Sequence, residues 1–170
     1  MKKYGIATFI SFILLTSSSF AQTLNNMVYD SAVEQKVLIG YCDRTGLEAG
    51  EFGTYFLPEY EAYLVNDSLV KLLNKKIDEY KITVVFGSWC SDSQEQLPRF
   101  YKILDKTGYI DDRLTLIAVN RKKQTEVVDI NALNIERVPT FIVYKKGREI
   151  GRIVETPENT LEEDLWKIIR

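Results

Sequence analysis

Residues 81–99 read KITVVFGSWCSDSQEQLPR, and their order restricts the fold more than any other stretch of the chain. The apolar run Ile82 to Phe86 has the length and β-branched content of a buried strand. Gly87-Ser88-Trp89 interrupts it, and a polar, helix-compatible segment follows Cys90 at once. The expected junction is strand, tight turn, helix, with the cysteine at the helix start. Unpaired amides and the positive end of the macrodipole favour thiolate over thiol at such a place. A thiolate so positioned is the nucleophile of thiol–disulfide chemistry, whose usual redox form is Cys-x-x-Cys. Here the spacing is Cys90-Ser91-Asp92-Ser93, with a hydroxyl where the second thiol would stand.

Residues 1–21 read as a secretory signal peptide. Met1-Lys2-Lys3 is basic, Ile6 to Leu15 is mostly apolar, and the small residues Ser19 and Ala21 occupy the third-last and last positions before a cut. Gln22 is the expected mature N-terminus. The apolar stretch is shorter than the roughly 20 residues a membrane span needs, so no membrane attachment is expected after cleavage. No cysteine stands at the cleavage site to carry lipid. The short basic start is of bacterial type and points to a periplasmic protein.

Loss of Lys2 and Lys3 takes the formal charge from −2 to −4. The runs Lys75-Lys76, Arg121-Lys122-Lys123 and Lys145-Lys146 are short and scattered, and they read as solvated faces. Neither nucleic acid nor anionic lipid is an expected partner. The chain has no histidine, which excludes a Ser-His-Asp triad, a Cys-His dyad and every His-based metal site. Two cysteines, Cys42 and Cys90, are too few for a zinc site or an iron–sulfur cluster within one chain. No metal and no cofactor are therefore expected.

The order of elements follows from periodicity and punctuation. Residues 22–30 are polar and read as a loose segment, and Val37-Leu38-Ile39 fits either a strand or part of a helix. The glycine-punctuated stretch 45–53 reads as a turn; it lacks the Lys-Ser/Thr of a phosphate loop. Tyr55, Phe56, Tyr60, Tyr63 and Leu64 recur at near-helical spacing, as core aromatics do. Asn66 is a candidate N-cap for a helix from Ser68, with Leu69, Leu72, Leu73 and Ile77 on one face. A helix from about Ser91 to Lys106 is expected to bend at Pro98. Leu114 to Val119 reads as a central strand, and 125–133 as a weak helix. Thr140 to Tyr144 and Ile150 to Val154 form a hairpin across Lys146-Gly147. Thr160-Leu161-Glu162-Glu163 is a capping box for a last helix with Leu161, Leu165, Ile168 and Ile169 inward. From Asp67 the order α-β-α-β-α-β-β-α implies an α/β fold: a central mixed β-sheet with helices on both faces.

With that order in place, the chain resembles the thioredoxin superfamily over residues 67–170. Trp89-Cys90 stands at the redox-motif position. Pro98, eight residues on, matches the proline that bends the active-site helix. Val138-Pro139-Thr140 matches the cis-proline loop that lies against the active-site cysteine, and Gly147 matches the turn of the closing hairpin. The resemblance implies a thioredoxin-like domain over 67–170, an N-terminal extension over 22–66, Cys90 and Ser93 as catalytic positions, and a substrate groove at Trp89, Val138 and Pro139. Two departures go together: Ser93 replaces the resolving cysteine, and Val84 stands where many thioredoxins bury an acid that serves it.

Two functions fit these residues. One is an exported monothiol protein in which Cys90 forms mixed disulfides with protein or low-molecular-weight thiols. The other is a redox-inactive binding module that uses the same groove for a peptide. Ser93 is either a hydroxyl donor to the thiolate or a solvent-facing residue. Cys42 is either a small buried hydrophobe or a functional thiol that resolves Cys90 or links two chains.

Overall fold

The structure is a computed structural model and describes residues 23–170. The expected signal peptide lies outside the described residues. Strand β1 (Met27–Asp30) and β2 (Gln35–Leu38) form an N-terminal hairpin. They lead into β3 (Gly40–Cys42), α1 (Arg44–Leu47), α2 (Gly50–Ala62) and α3 (Asp67–Asn74). The segment with Trp89-Cys90 follows, between β4 (Lys81–Phe86) and α4 (Ser91–Thr107). Next come β5 (Leu114–Ala118), β6 (Thr140–Lys145), β7 (Arg148–Val154) and α5 (Leu161–Ile169).

Five strands make the central sheet in the order β3-β5-β4-β6-β7. The sheet is mixed: β4 runs parallel to β5 and antiparallel to β6, while β3 and β7 close the two edges antiparallel to their neighbours. Register sets the chemistry of each face, because side chains alternate along a strand. Val84 stands opposite Leu116 and Phe141, and Val85 opposite Ile117 and Thr140. Val84, Phe86, Leu116, Ala118, Phe141 and Val143 share one core with buried residues of all five α-helices. In it the Phe100 and Phe141 rings lie 4.6 Å apart between centroids. Val85 and Ile117 belong to a second, smaller core with Val119, Ile130 and Val138.

That second face is covered by the crossover from β5 to β6. The helix expected over 125–133 is reduced there to the single 3-10 turn Ile130–Leu133. Asp129 caps this turn by accepting from the Asn131 N–H, and Asn134, with φ at 50°, ends it. The preceding Val127-Val128 pair is β-branched, and its stiff χ1 disfavours helix.

The segment 23–66 contributes the edge strand β3 to the central sheet and packs its helices on the same core. Leu38, Cys42, Leu47, Phe52 and Phe56 are buried in the same core as Leu97 and Phe100. In the undecided run 37–39, Val37 and Leu38 end β2, and Ile39 links them to Gly40, at φ +87°, where β3 begins. The stretch 45–53, expected as a turn, is helical at both ends. Asp43 caps α1 through the Thr45 and Gly46 amides, and α2 already begins at Gly50. Asn66 caps α3 as expected, accepting from Ser68 and Leu69, but the buried face of α3 carries Val70 and Leu73, Leu72 is exposed, and the buried Ile77 lies beyond α3 in the 3-10 turn Ile77–Glu79. The helix phase set by the cap places 70 and 73 inward at i, i+3. At the other end Thr160 accepts from the Glu163 N–H at 3.2 Å and starts α5.

Candidate functional site

The site lies where β4 ends. Cys90 is the residue from which α4 begins, with φ −95° and ψ 126°, and its carbonyl accepts from the Gln94 N–H at 3.0 Å. Its own N–H donates to the Gly87 carbonyl at 2.9 Å and closes the turn. The sulfur is partly buried and donates to the Val138 carbonyl at 3.3 Å. The Val138–Pro139 peptide bond is cis. This loop is tied on both sides: Thr140 Oγ1 donates to the Arg137 carbonyl at 2.6 Å, and the Glu155 N–H donates to the Pro139 carbonyl at 2.7 Å.

Trp89 is held by three neighbours. Its Nε1–H donates to the Val119 carbonyl at 2.9 Å. Its ring covers Gly87 so closely that a Cβ there would stand 2.5 Å from Cε2. The Arg121 guanidinium lies 5.2 Å from the ring centroid and 3.6 Å from an Asp30 carboxylate oxygen at the end of β1. The basic run at 121–123, read as a solvated face, thus contributes one residue that bridges the hairpin to Trp89.

Ser93 is fully buried, so it is not a solvent-facing helix residue. Its Oγ accepts from the Gly87 N–H at 3.3 Å, and no Ser93 to Cys90 hydrogen bond is present among the described residues. The structure therefore brings Cys90, Val138 and Pro139 together, with Trp89 beside them and Ser93 beneath the turn. Cys42 is not brought to Cys90. It lies in the helix-covered core, whereas Cys90 packs against the second core, and both thiols are free. Burial pushes the Cys42 thiol up to about 12.

Several residues at the site carry no obvious signal in sequence. Gln94 Nε2 donates to the Ser88 carbonyl at 2.9 Å, and Ser88 Oγ accepts from the Leu38 N–H at 2.9 Å. Gln94 stands one turn after Cys90, a spacing that puts both on one side of the helix. Leu38 comes from a segment whose strand character was open.

A family model for thioredoxin matches residues 63–167, and the chain belongs to the thioredoxin family. The match starts after α2, so it holds the Trp-Cys turn and the Pro139 loop but neither the hairpin nor β3. Mitochondrial thioredoxin-2 from Schizosaccharomyces pombe is 30% identical over 96 residues, spanning 55% of this chain and 68% of that protein. Chloroplastic thioredoxin Y from Oryza sativa subsp. japonica is 26% identical over 80 residues, spanning 47% of this chain and 45% of that protein. Among solved structures, a protein of unknown function from Pseudomonas aeruginosa aligns with a TM-score of 0.48 at 18% identity, covering 65% of this chain and 68% of that one.

Proposed function

We propose that this chain is an exported thiol protein in which Cys90 alone carries thiol–disulfide exchange. One observation carries the reading: a partly exposed sulfur at the start of α4, against the Val138–Pro139 loop, above a fully buried serine at position 93. The Cys90 thiolate attacks one sulfur of a substrate disulfide. A bond forms between Cys90 Sγ and that sulfur, the substrate S–S bond breaks, and the second sulfur leaves as a thiolate. No net oxidation occurs, and half of the substrate stays on the protein as a mixed disulfide.

In a dithiol protein the next step is internal. Ser93 has no sulfur to supply it, and Cys42 is a buried thiol in the helix-covered core. A thiol from another molecule then attacks the mixed disulfide and regenerates Cys90. That thiol belongs to a protein or to a low-molecular-weight reductant. Trp89 and Pro139 bound the groove in which the substrate lies.

Incubation with an activated asymmetric disulfide tests this directly. Intact-mass analysis is expected to find one adduct in the wild type and in Cys42→Ser, and none in Cys90→Ser. A Cys90 that forms no adduct makes the domain a binding module and ends the exchange reading. Export is part of the same proposal and rests on the basic start, the apolar Ile6 to Leu15 and the small residues Ser19 and Ala21. Mass spectrometry of the exported protein should find Gln22 first; an intact Met1 there refutes cleavage.

A further inference from the structure

The hairpin gives the active-site turn a second wall. Pro139 precedes β6 on one side of β4, whereas the hairpin runs into β3 beyond β5 on the other side. A cavity of about 290 Å³ opens between the hairpin and the first turns of α2, and Ser88 and Gln94 of the active-site turn line it. The buried side chains Leu38 and Phe52 also line it, together with Met27, Tyr29 and Tyr55, which are 39%, 66% and 44% exposed. Single exposed hydrophobics are ordinary, but three that converge on one cavity beside a nucleophile mark a binding surface.

Distance and chemistry narrow the occupant. Gln94 is one helical turn from Cys90, about 5.4 Å along the axis. A residue one or two positions from a substrate cysteine spans that gap at about 3.3–3.6 Å per residue. The cavity lies at the lower edge of the roughly 300–1,000 Å³ typical of sites for whole small molecules, which suits one side chain. Its charged lining is Glu34, Glu51 and Lys36, so a small thiol of net negative charge meets a net negative wall. Gln94 uses its Nε2 on the Ser88 carbonyl, and among the described residues nothing donates to its Oε1, which is left to accept a peptide N–H.

We infer that this cavity is a side-chain subsite for a polypeptide joined to Cys90, taking an aromatic or long aliphatic residue next to the substrate cysteine. The inference rests on the exchange reading of Cys90. In the exchange the peptide sulfur bonds to Cys90 Sγ while the neighbouring side chain seats between the hairpin and α2.

The test uses cysteine peptides carried as mixed disulfides with thionitrobenzoate, with Phe, Leu, Ala or Asp beside the cysteine, and the same derivative of glutathione. Attack by Cys90 on the peptide sulfur breaks the S–S bond and releases coloured thionitrobenzoate. In the wild type the Phe and Leu peptides are expected to react at least about tenfold faster than the Ala and Asp peptides and glutathione, equivalent to about 1.4 kcal/mol. In the double variant Met27→Ala, Tyr55→Ala, both at exposed positions, the Phe to Ala ratio should fall to within about twofold of one. Equal rates for all peptides in the wild type overturn the subsite and leave the exchange reading standing. A Phe preference that survives the double variant places the selectivity elsewhere and also overturns it. Release from no derivative removes the exchange reading itself, and the subsite with it.

Discussion

Replacing Gly87 with alanine tests whether close packing in the turn is what holds Trp89. A Cβ at this position would stand 2.5 Å from Trp89 Cε2 and 2.8 Å from Cζ2 and Nε1. Carbon atoms prefer about 3.5–4.0 Å, so the indole must move. Gly87 is not among the positive-φ residues, so the penalty is steric and not conformational. The ring cannot move without consequence, because its Nε1 bond to Val119 and its face against Arg121 both fix it. Overpacking contributes about 1–3 kcal/mol of destabilisation, and loss of the indole hydrogen bond about 0.5–1.5 kcal/mol. The alanine restricts the unfolded chain and offsets about 0.4–1 kcal/mol. A net loss near 2 kcal/mol corresponds to roughly 4–8 °C in Tm for a domain of this size. Thermal melts should be read beside Trp89 emission in a Trp166→Phe background, since the chain has two tryptophans. The expected result is a lower Tm, a red-shifted emission and a changed rate of Cys90 alkylation. An alanine variant with the parent's Tm and emission would show that contact with Gly87 does not position Trp89.

Other perturbations address the rest of the site. Ser93→Cys is expected to form an internal disulfide between Cys90 and the new thiol and to gain insulin reduction coupled to dithiothreitol, while the wild type shows little. Wild-type turnover as fast as the variant's, or no disulfide under oxidising conditions, would defeat this. Ser93→Ala removes the acceptor for the buried Gly87 N–H and should destabilise by about 1–3 kcal/mol in urea titrations; an unchanged midpoint would show that the bond contributes nothing. With its thiol pushed up to about 12, Cys42 holds a thiolate fraction of only about 10⁻⁴ at pH 8, so native-state alkylation should be confined to Cys90 until denaturant is added. The same burial makes stability fall as pH rises above about 9, because the unfolded chain loses the Cys42 proton first, with a slope of at most about 1.4 kcal/mol per pH unit. The urea midpoint of Cys42→Ala should therefore fall less steeply between pH 9 and 10.5 than the wild type's, and parallel curves would contradict it. Arg121→Ala should speed proteolysis of the hairpin turn several-fold by removing the bridge between Trp89 and Asp30; equal cleavage rates would show that the bridge is idle.

Much of the domain was legible because its signals are local. The strand, glycine turn and Trp89-Cys90 depend on residues within one short window, and so do the Thr160 and Asn66 caps. The face of α3 was misjudged because Leu69, Val70, Leu72 and Leu73 are all apolar, and only tertiary packing chooses among them. The hairpin was missed for a different reason. Its strands have four residues each, and the turn is made by an Asx contact, Asp30 Oδ1 accepting from the Ala32 N–H, and by Glu34 at φ 53°. Neither device produces a hydrophobic period. The residues that extend the site, Leu38, Gln94 and Arg121, are ordinary in sequence; Leu38 and Arg121 reach it only through the fold, Leu38 across 50 positions in its bond to Ser88, and Gln94 by a contact with the Ser88 carbonyl that no motif announces.

The replacement of the second thiol and the absence of a buried acid are one structural fact. Val84 is fully buried in β4, opposite Leu116 and Phe141, in the core beneath α4. A carboxylate there would be a desolvated charge, and it would need a titrating partner to justify its place. With serine at 93 no such partner exists. Ser93 instead performs a task a thiol does poorly, since its hydroxyl is a better acceptor for the Gly87 N–H than a sulfur would be. That amide belongs to the same residue whose carbonyl receives the Cys90 N–H and whose Cα lies under Trp89. Ser93, Gly87 and Trp89 thus form a continuous support for a turn that presents one sulfur. Val84 lets the core beneath remain apolar. In the proposed exchange the resolving thiol arrives from outside the chain, and the hairpin beside the turn, which lies outside the family match, is placed to shape what arrives with it.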